Sequence, residues 1–160
     1  MSYYKIMFKK KFSWLLILLI LNSCGFTPMY SSNFKNDFNI EIIDFEGDNN
    51  LNNFIKQKIG STINSNEKNT KKFQISGKTS YSKDVQTKDK KGKVTQYSLS
   101  ASANFTIKTK NLIEEINFTE KSTLNKLSDE FEESNYEKSF KENVSQIFVN
   151  KLIMYLSRIK

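Results

Sequence analysis

Few side chains in this 160-residue sequence have the type and spacing to do chemistry. There is no histidine and a single cysteine, Cys24. Without histidine, no Ser-His-Asp or Cys-His set can form and no imidazole can hold a metal. One thiol permits neither an internal disulfide nor a cysteine zinc cluster. Two charged clusters remain. Asp129, Glu130, Glu132 and Glu133 bring carboxylates together just ahead of a helical pattern, where acids complement the helix dipole rather than form a paired-carboxylate site. Lys88, Lys90, Lys91 and Lys93 surround Asp89 and Gly92 in a turn. Ammonium groups act on phosphate as point charges, so these four lysines are the candidate contact for an anionic group. The same composition also suits a solvated hairpin tip. Ser98, Ser100, Ser102 and Asn104 recur at alternate positions and belong on one face of a strand, which we read as a hydrated sheet face. No glycine-rich phosphate loop, EF-hand or nucleophile motif is present. The expectation is a non-enzymatic protein with no catalytic residue, no metal and no dissociable cofactor.

The amino-terminal segment reads as an address. Lys5, Lys9, Lys10 and Lys11 make a basic head without acids, and residues 12–21 (FSWLLILLIL) form an apolar run. As a helix this run rises about 15 Å, half of a hydrocarbon core of about 30 Å, so it fits a secretory signal better than a membrane span. The head also accounts for half of the formal net charge of +8. Every basic residue except Arg158 is a lysine, which we attribute to A- and T-rich coding DNA. Nucleic acid is therefore not an expected partner. Leu21-Asn22-Ser23-Cys24 then resembles the bacterial lipobox. That resemblance implies diacylglycerol on the Cys24 sulfur, cleavage before Cys24 by signal peptidase II, and acylation of the new amino group. The alternative is a signal peptide followed by an incidental cysteine. Each buried CH₂ contributes about 0.8 kcal/mol, so two or three acyl chains make a stable membrane anchor. Gly25 in place of Asp after the cysteine implies sorting to the outer membrane. The expected organisation is a removed signal peptide over 1–23, a lipidated terminus and linker over 24–37, and one domain over 38–160.

The elements that must position the lysines and the hydroxyl row follow from periodicity. Phe38, Ile40 and Ile42 alternate with Asn39, Glu41 and Ile43, which predicts a strand over 38–45. Asp48 is a helix cap, and Leu51, Phe54, Ile55, Lys58, Ile59 and Ile63 mark one face of a helix over 49–64. Phe73, Ile75, Gly77, Thr79 and Tyr81 predict a strand over about 72–86. Tyr97, Leu99, Ala101, Ala103, Phe105 and Ile107 give the clearest strand, with one buried and one polar face. Residues 112–118 begin a further strand that ends near Lys126, with turns at Lys88–Lys93 and Asn111. Tyr136, Phe140, Val144, Ile147, Phe148, Lys151, Leu152 and Tyr155 predict an amphipathic helix over 135–158, with Val149, Ile153 and Met154 widening its stripe. The order β-α-β-β-β-α predicts an α+β two-layer sandwich, a four-stranded mixed sheet with two helices on one face. Strands joined by the first helix should be parallel if neighbours, and the other pairs antiparallel.

Directly at the lipobox stands Cys24-Gly25-Phe26-Thr27-Pro28-Met29-Tyr30. It resembles the Cys-Gly-Phe-x-Pro-Leu-Tyr start of LptE lipoproteins, the lipopolysaccharide-assembly lipoproteins of Gram-negative bacteria, with Met29 in place of Leu. By element order the resemblance extends over the mature chain; by motif it covers Cys24 to Tyr30. It implies the same two-layer fold and an outer-membrane lipoprotein, anchored on the periplasmic side, that plugs the LptD β-barrel and assists its assembly and lipopolysaccharide insertion. It further implies that the Lys88–Lys93 turn lies where lipopolysaccharide is contacted, and that the polar sheet face sits in the barrel lumen. The rival readings are a periplasmic lipid- or peptide-binding lipoprotein without a barrel partner, and a structural envelope lipoprotein.

Overall fold

The computed structural model describes residues 38–62, 71–110 and 112–159. The signal segment 1–23, Cys24, the stretch 25–37, Ile63 and Asn111 lie outside the described residues. Six elements follow in the expected order: β1 (Phe38–Gly47), α1 (Asn49–Thr62), β2 (Lys71–Lys88), β3 (Val94–Lys108), β4 (Ile113–Asn125) and α2 (Glu130–Leu156). They form a four-stranded sheet in the order β1-β2-β3-β4. β1 and β2 are parallel, joined by the kind of helical crossover that parallel neighbours need, and the two hairpins make the other pairs antiparallel. The sheet and the two helices form the expected α+β sandwich.

Alternation decides the core. Leu99, Ala101, Ala103, Phe105 and Ile107 of β3 are all buried, as are Phe73 and Ile75 of β2. Against them pack Leu51, Ile55 and Ile59 of α1 and Val144, Phe148, Val149, Leu152 and Ile153 of α2. Phe118 bridges sheet and helix, tilted on Phe105 and stacked on Phe148. The intervening β3 residues Ser98, Ser100, Ser102 and Asn104 lie on the opposite, open face.

Three features depart from simple periodicity. A bulge between Ile42 and Phe45 breaks the register of β1, leaves Ile43 exposed and turns Phe45 into the core. The Phe45 ring then occupies the space above Gly77, where a Cβ would lie 2.6 Å from the ring. At the end of β1, Gly47 has φ +101°, and a side chain there would meet the Thr79 carbonyl oxygen at 1.9 Å. The expected helix start at 135 is corrected to Glu130. Asp129 caps it, its carboxylate accepting from the Phe131 N–H at 2.8 Å. The apolar period misses this first turn because ion pairs, not apolar contacts, hold it to the sheet.

Candidate functional site

The lysine turn closes the β2–β3 hairpin, and its shape comes from Asp89. The Asp89 carboxylate accepts from the backbone N–H groups of Lys91 at 2.8 Å and Lys93 at 2.9 Å. The Asp89 N–H reaches the Lys93 carbonyl at 2.8 Å, and Gly92 completes the turn at φ +79°. Asp89 is thus committed to the backbone. Lys88, Lys90, Lys91 and Lys93 are exposed, and none of them forms an ion pair among the described residues. The last pair between β3 and β4 is Gln96 with Asn125, whereas β2 and β3 continue to Lys88 and Val94. The Lys126 N–H still reaches the Thr95 carbonyl at 2.9 Å, so the cationic tip is a short arm that passes β4 by the Lys88–Val94 pair and the turn.

The root of that arm is braced by a charge network. Lys83 of β2 donates to Glu137 at 2.7 Å and to Glu133 at 3.0 Å, with its ammonium 4.3 Å from the centre of the Tyr97 ring. Glu133 also pairs with Lys126 at 3.0 Å and accepts the Leu127 N–H at 2.9 Å. Tyr81 donates its hydroxyl to Glu137 at 2.7 Å, and Lys141 lies over the Tyr81 ring while pairing with Asp48 at 2.8 Å. Asp48 in turn caps α1, accepting the Leu51 N–H at 2.9 Å. Burial opposes ionisation of Glu133, but its bonds to Lys126, Lys83 and Leu127 outweigh it and bring its pKa down to about 2. For Glu137 and Asp48, too, burial opposes ionisation, and the bonds to Lys83 and Lys141 respectively prevail, lowering both. Burial, followed by the bond to Glu137, pushes the Tyr81 phenol far up. Every shift favours the bonded form found here, so the cluster acts as a brace.

Of the four acids expected to complement the α2 dipole, Asp129, Glu130 and Glu132 are exposed near the helix start, whereas Glu133 is 4% exposed and cross-links α2 to the sheet. Sequence reasoning missed this, and missed the buried Lys141 and Asn52. Asn52 shares a hydrogen bond with Thr79 at 2.7 Å. The spacing of Glu133, Glu137 and Lys141 along one α2 face was the available signal.

The open sheet face has a neutral centre. Ser98, Ser100, Ser102 and Asn104 stand opposite Asp84, Ser82, Ser80 and Lys78 of β2. Ser80 and Ser102 share a hydrogen bond at 2.8 Å. A shallow depression of about 280 Å³ on this face is lined by Asp44, Glu46, Lys78, Asn104, Thr106 and Glu115, among others. Among the described residues no cluster of His, Cys, Asp or Glu is arranged to hold a metal ion. No helix among them is long and apolar enough to cross a membrane. The hydroxyl row and the lysine arm thus belong to different regions, one a face and the other an end.

Comparison with solved structures shows the same architecture elsewhere. The chain is similar to rare lipoprotein B from Shewanella oneidensis, with a TM-score of 0.53 over 73% of this chain and 94% of that one, at 8% identity. It is also similar to an uncharacterized lipoprotein B from Nitrosomonas europaea, with a TM-score of 0.50 over 76% and 88% of the two chains, at 16% identity. The shared property is the fold. It is the fold expected from the resemblance to LptE lipoproteins. No family model and no curated protein sequence matches the chain.

Proposed function

We propose that this chain is an outer-membrane lipoprotein of the LptE type that partners an LptD-like β-barrel, plugs it from the periplasmic side and assists lipopolysaccharide insertion. The observation that carries the reading is a coincidence of two independent features: the only cysteine closes a lipobox, and the domain behind it has a fold found in lipoproteins. In this reading residues 1–23 are removed, Cys24 carries the lipid, and 24–37 tether the domain of 38–160 to the membrane. The protein does no covalent chemistry and uses no cofactor beyond that lipid. The polar open face, with its central row of hydroxyls, suits a water-filled lumen. Lys88, Lys90, Lys91 and Lys93 supply exposed cations for lipid phosphates.

The test is purification of the tagged full chain in mild detergent from its own host, followed by mass spectrometry. A large outer-membrane barrel in stoichiometric amount is the expected result. Recovery with a bound small molecule and no barrel would favour a binding lipoprotein, and recovery with peptidoglycan would favour a structural one.

A further inference from the structure

The two edges of the sheet differ. β1 is interrupted by its bulge and ends at Gly47, devices that discourage strand addition. β4 runs from Ile113 to Asn125 in unbroken register with β3, and among the described residues β3 is its one neighbour. Its outward N–H and C=O groups form a regular row. Above this edge α2 presents a flank of apolar side chains to solvent: Tyr136 at 42%, Ile147 at 40% and Met154 at 44% exposure. The flank lies over β4, because Tyr136 reaches the Thr123 carbonyl and Lys151, between Ile147 and Met154 on the same stripe, reaches Glu120. A strand laid along β4 would extend the sheet under that flank.

We infer that the free edge of β4 pairs antiparallel with β4 of a second copy of this chain, about a two-fold axis through Phe118. The charges of the strand select this register. Odd-numbered β4 residues face the open side and even-numbered ones the helices. A two-fold axis perpendicular to the sheet must therefore pass through a residue for the side chains of both copies to share faces. An axis through Glu114, Glu115, Glu120 or Lys121 sets a charge against itself. An axis through Asn117 sets Glu114 against Glu120. An axis through Phe118 places Glu115 opposite Lys121 of the second copy, twice by symmetry, with Asn117 opposite Thr119 and no like charges opposed. No other face-matched register of this strand sets opposite charges against each other. Glu115 and Lys121 are exposed and make no ion pair among the described residues. The inference rests on β4 and α2 alone and describes the chain outside a barrel, since a plug within a lumen has no room for a second copy along its sheet edge.

The test is sedimentation equilibrium of the full chain in density-matched detergent, on four samples. Wild type self-associates to a dimer. Glu115→Lys and Lys121→Glu each put like charges opposite one another twice, lowering the association constant about tenfold or more. An equimolar mixture of the two variants restores the dimer, because each then meets its complement. Both residues are exposed on the sheet face, and circular dichroism checks that the variants fold. Wild type that stays monomeric throughout the concentration series overturns the inference. So does a dimer indifferent to both reversals, and so does a mixture of the two variants that remains monomeric.

Discussion

Glu133 is nearly inaccessible yet ionised, because two ammonium groups and a backbone N–H converge on it. Its pKa lies at about 2 against an ordinary value of 4.5. A depressed carboxylate contributes stability that is complete above its unfolded pKa and is lost as pH falls towards the folded one. Glu137 and Asp48 move in the same direction. Thermal melts should therefore fall progressively below about pH 4.5. Glu133→Gln keeps the shape, removes one of the Lys83 partners and leaves Lys126 without a carboxylate, at a cost of roughly 1–3 kcal/mol at neutral pH. It should also flatten the acid slope; parallel slopes for variant and wild type would remove Glu133 from the brace. The sequence offered only the shared α2 face of Glu133, Glu137 and Lys141; the partners of Glu133 were not legible, because they come from β2 and the end of β4. Cys24 is the opposite case, a residue whose meaning is wholly local. Cys24→Ser should abolish labelling by radioactive fatty acid and release the mature protein from membranes, and continued labelling would reject the lipobox reading.

At the scale of elements, alternation and helical period located all four strands and both helices, because each buries one face. They could not show which apolar residues of a wide stripe meet the core. Val149 and Ile153 are buried, whereas Ile147 and Met154 are exposed. The difference depends on how α2 is turned over the sheet, a tertiary fact. Phe148 lies on the inner side, fully buried against Phe118. Phe148→Ala should cost roughly 3–5 kcal/mol, enough to unfold a small domain, and an unchanged melting temperature would contradict its place in the core. The β1 bulge was equally hidden, since the run Ile42-Ile43-Asp44-Phe45 does not reveal which residue is extra. Its structural signature is Gly77. Gly77→Ala drives a methyl group into the Phe45 ring and should cost about 1–3 kcal/mol, visible as a shifted urea midpoint. No change would mean that Phe45 swings away freely.

Across the whole domain, charge is sorted by location. The brace between β2 and α2 neutralises its own charges, the centre of the open face is mostly neutral, and a run of unpaired cations projects from one end. The sequence placed the lysines in a turn, but it could not show that the turn extends past β4, because the length of an arm depends on where the neighbouring strand stops. That extension gives the last prediction its form. Replacing Lys88, Lys90, Lys91 and Lys93 together with Gln preserves length and polarity, and the turn survives because Asp89 and Gly92 hold it. The melting temperature should change little, as for other exposed substitutions. If the arm meets lipid phosphates, binding to lipopolysaccharide should weaken and lose most of its salt dependence, since added salt screens exposed charge pairs over about 8–10 Å. Titration of wild type and variant against purified lipopolysaccharide at two ionic strengths reads both effects. Equal affinities with equal salt sensitivity would make the arm a solvated hairpin, and any lipid contact would then have to lie on the sheet face or the helix layer.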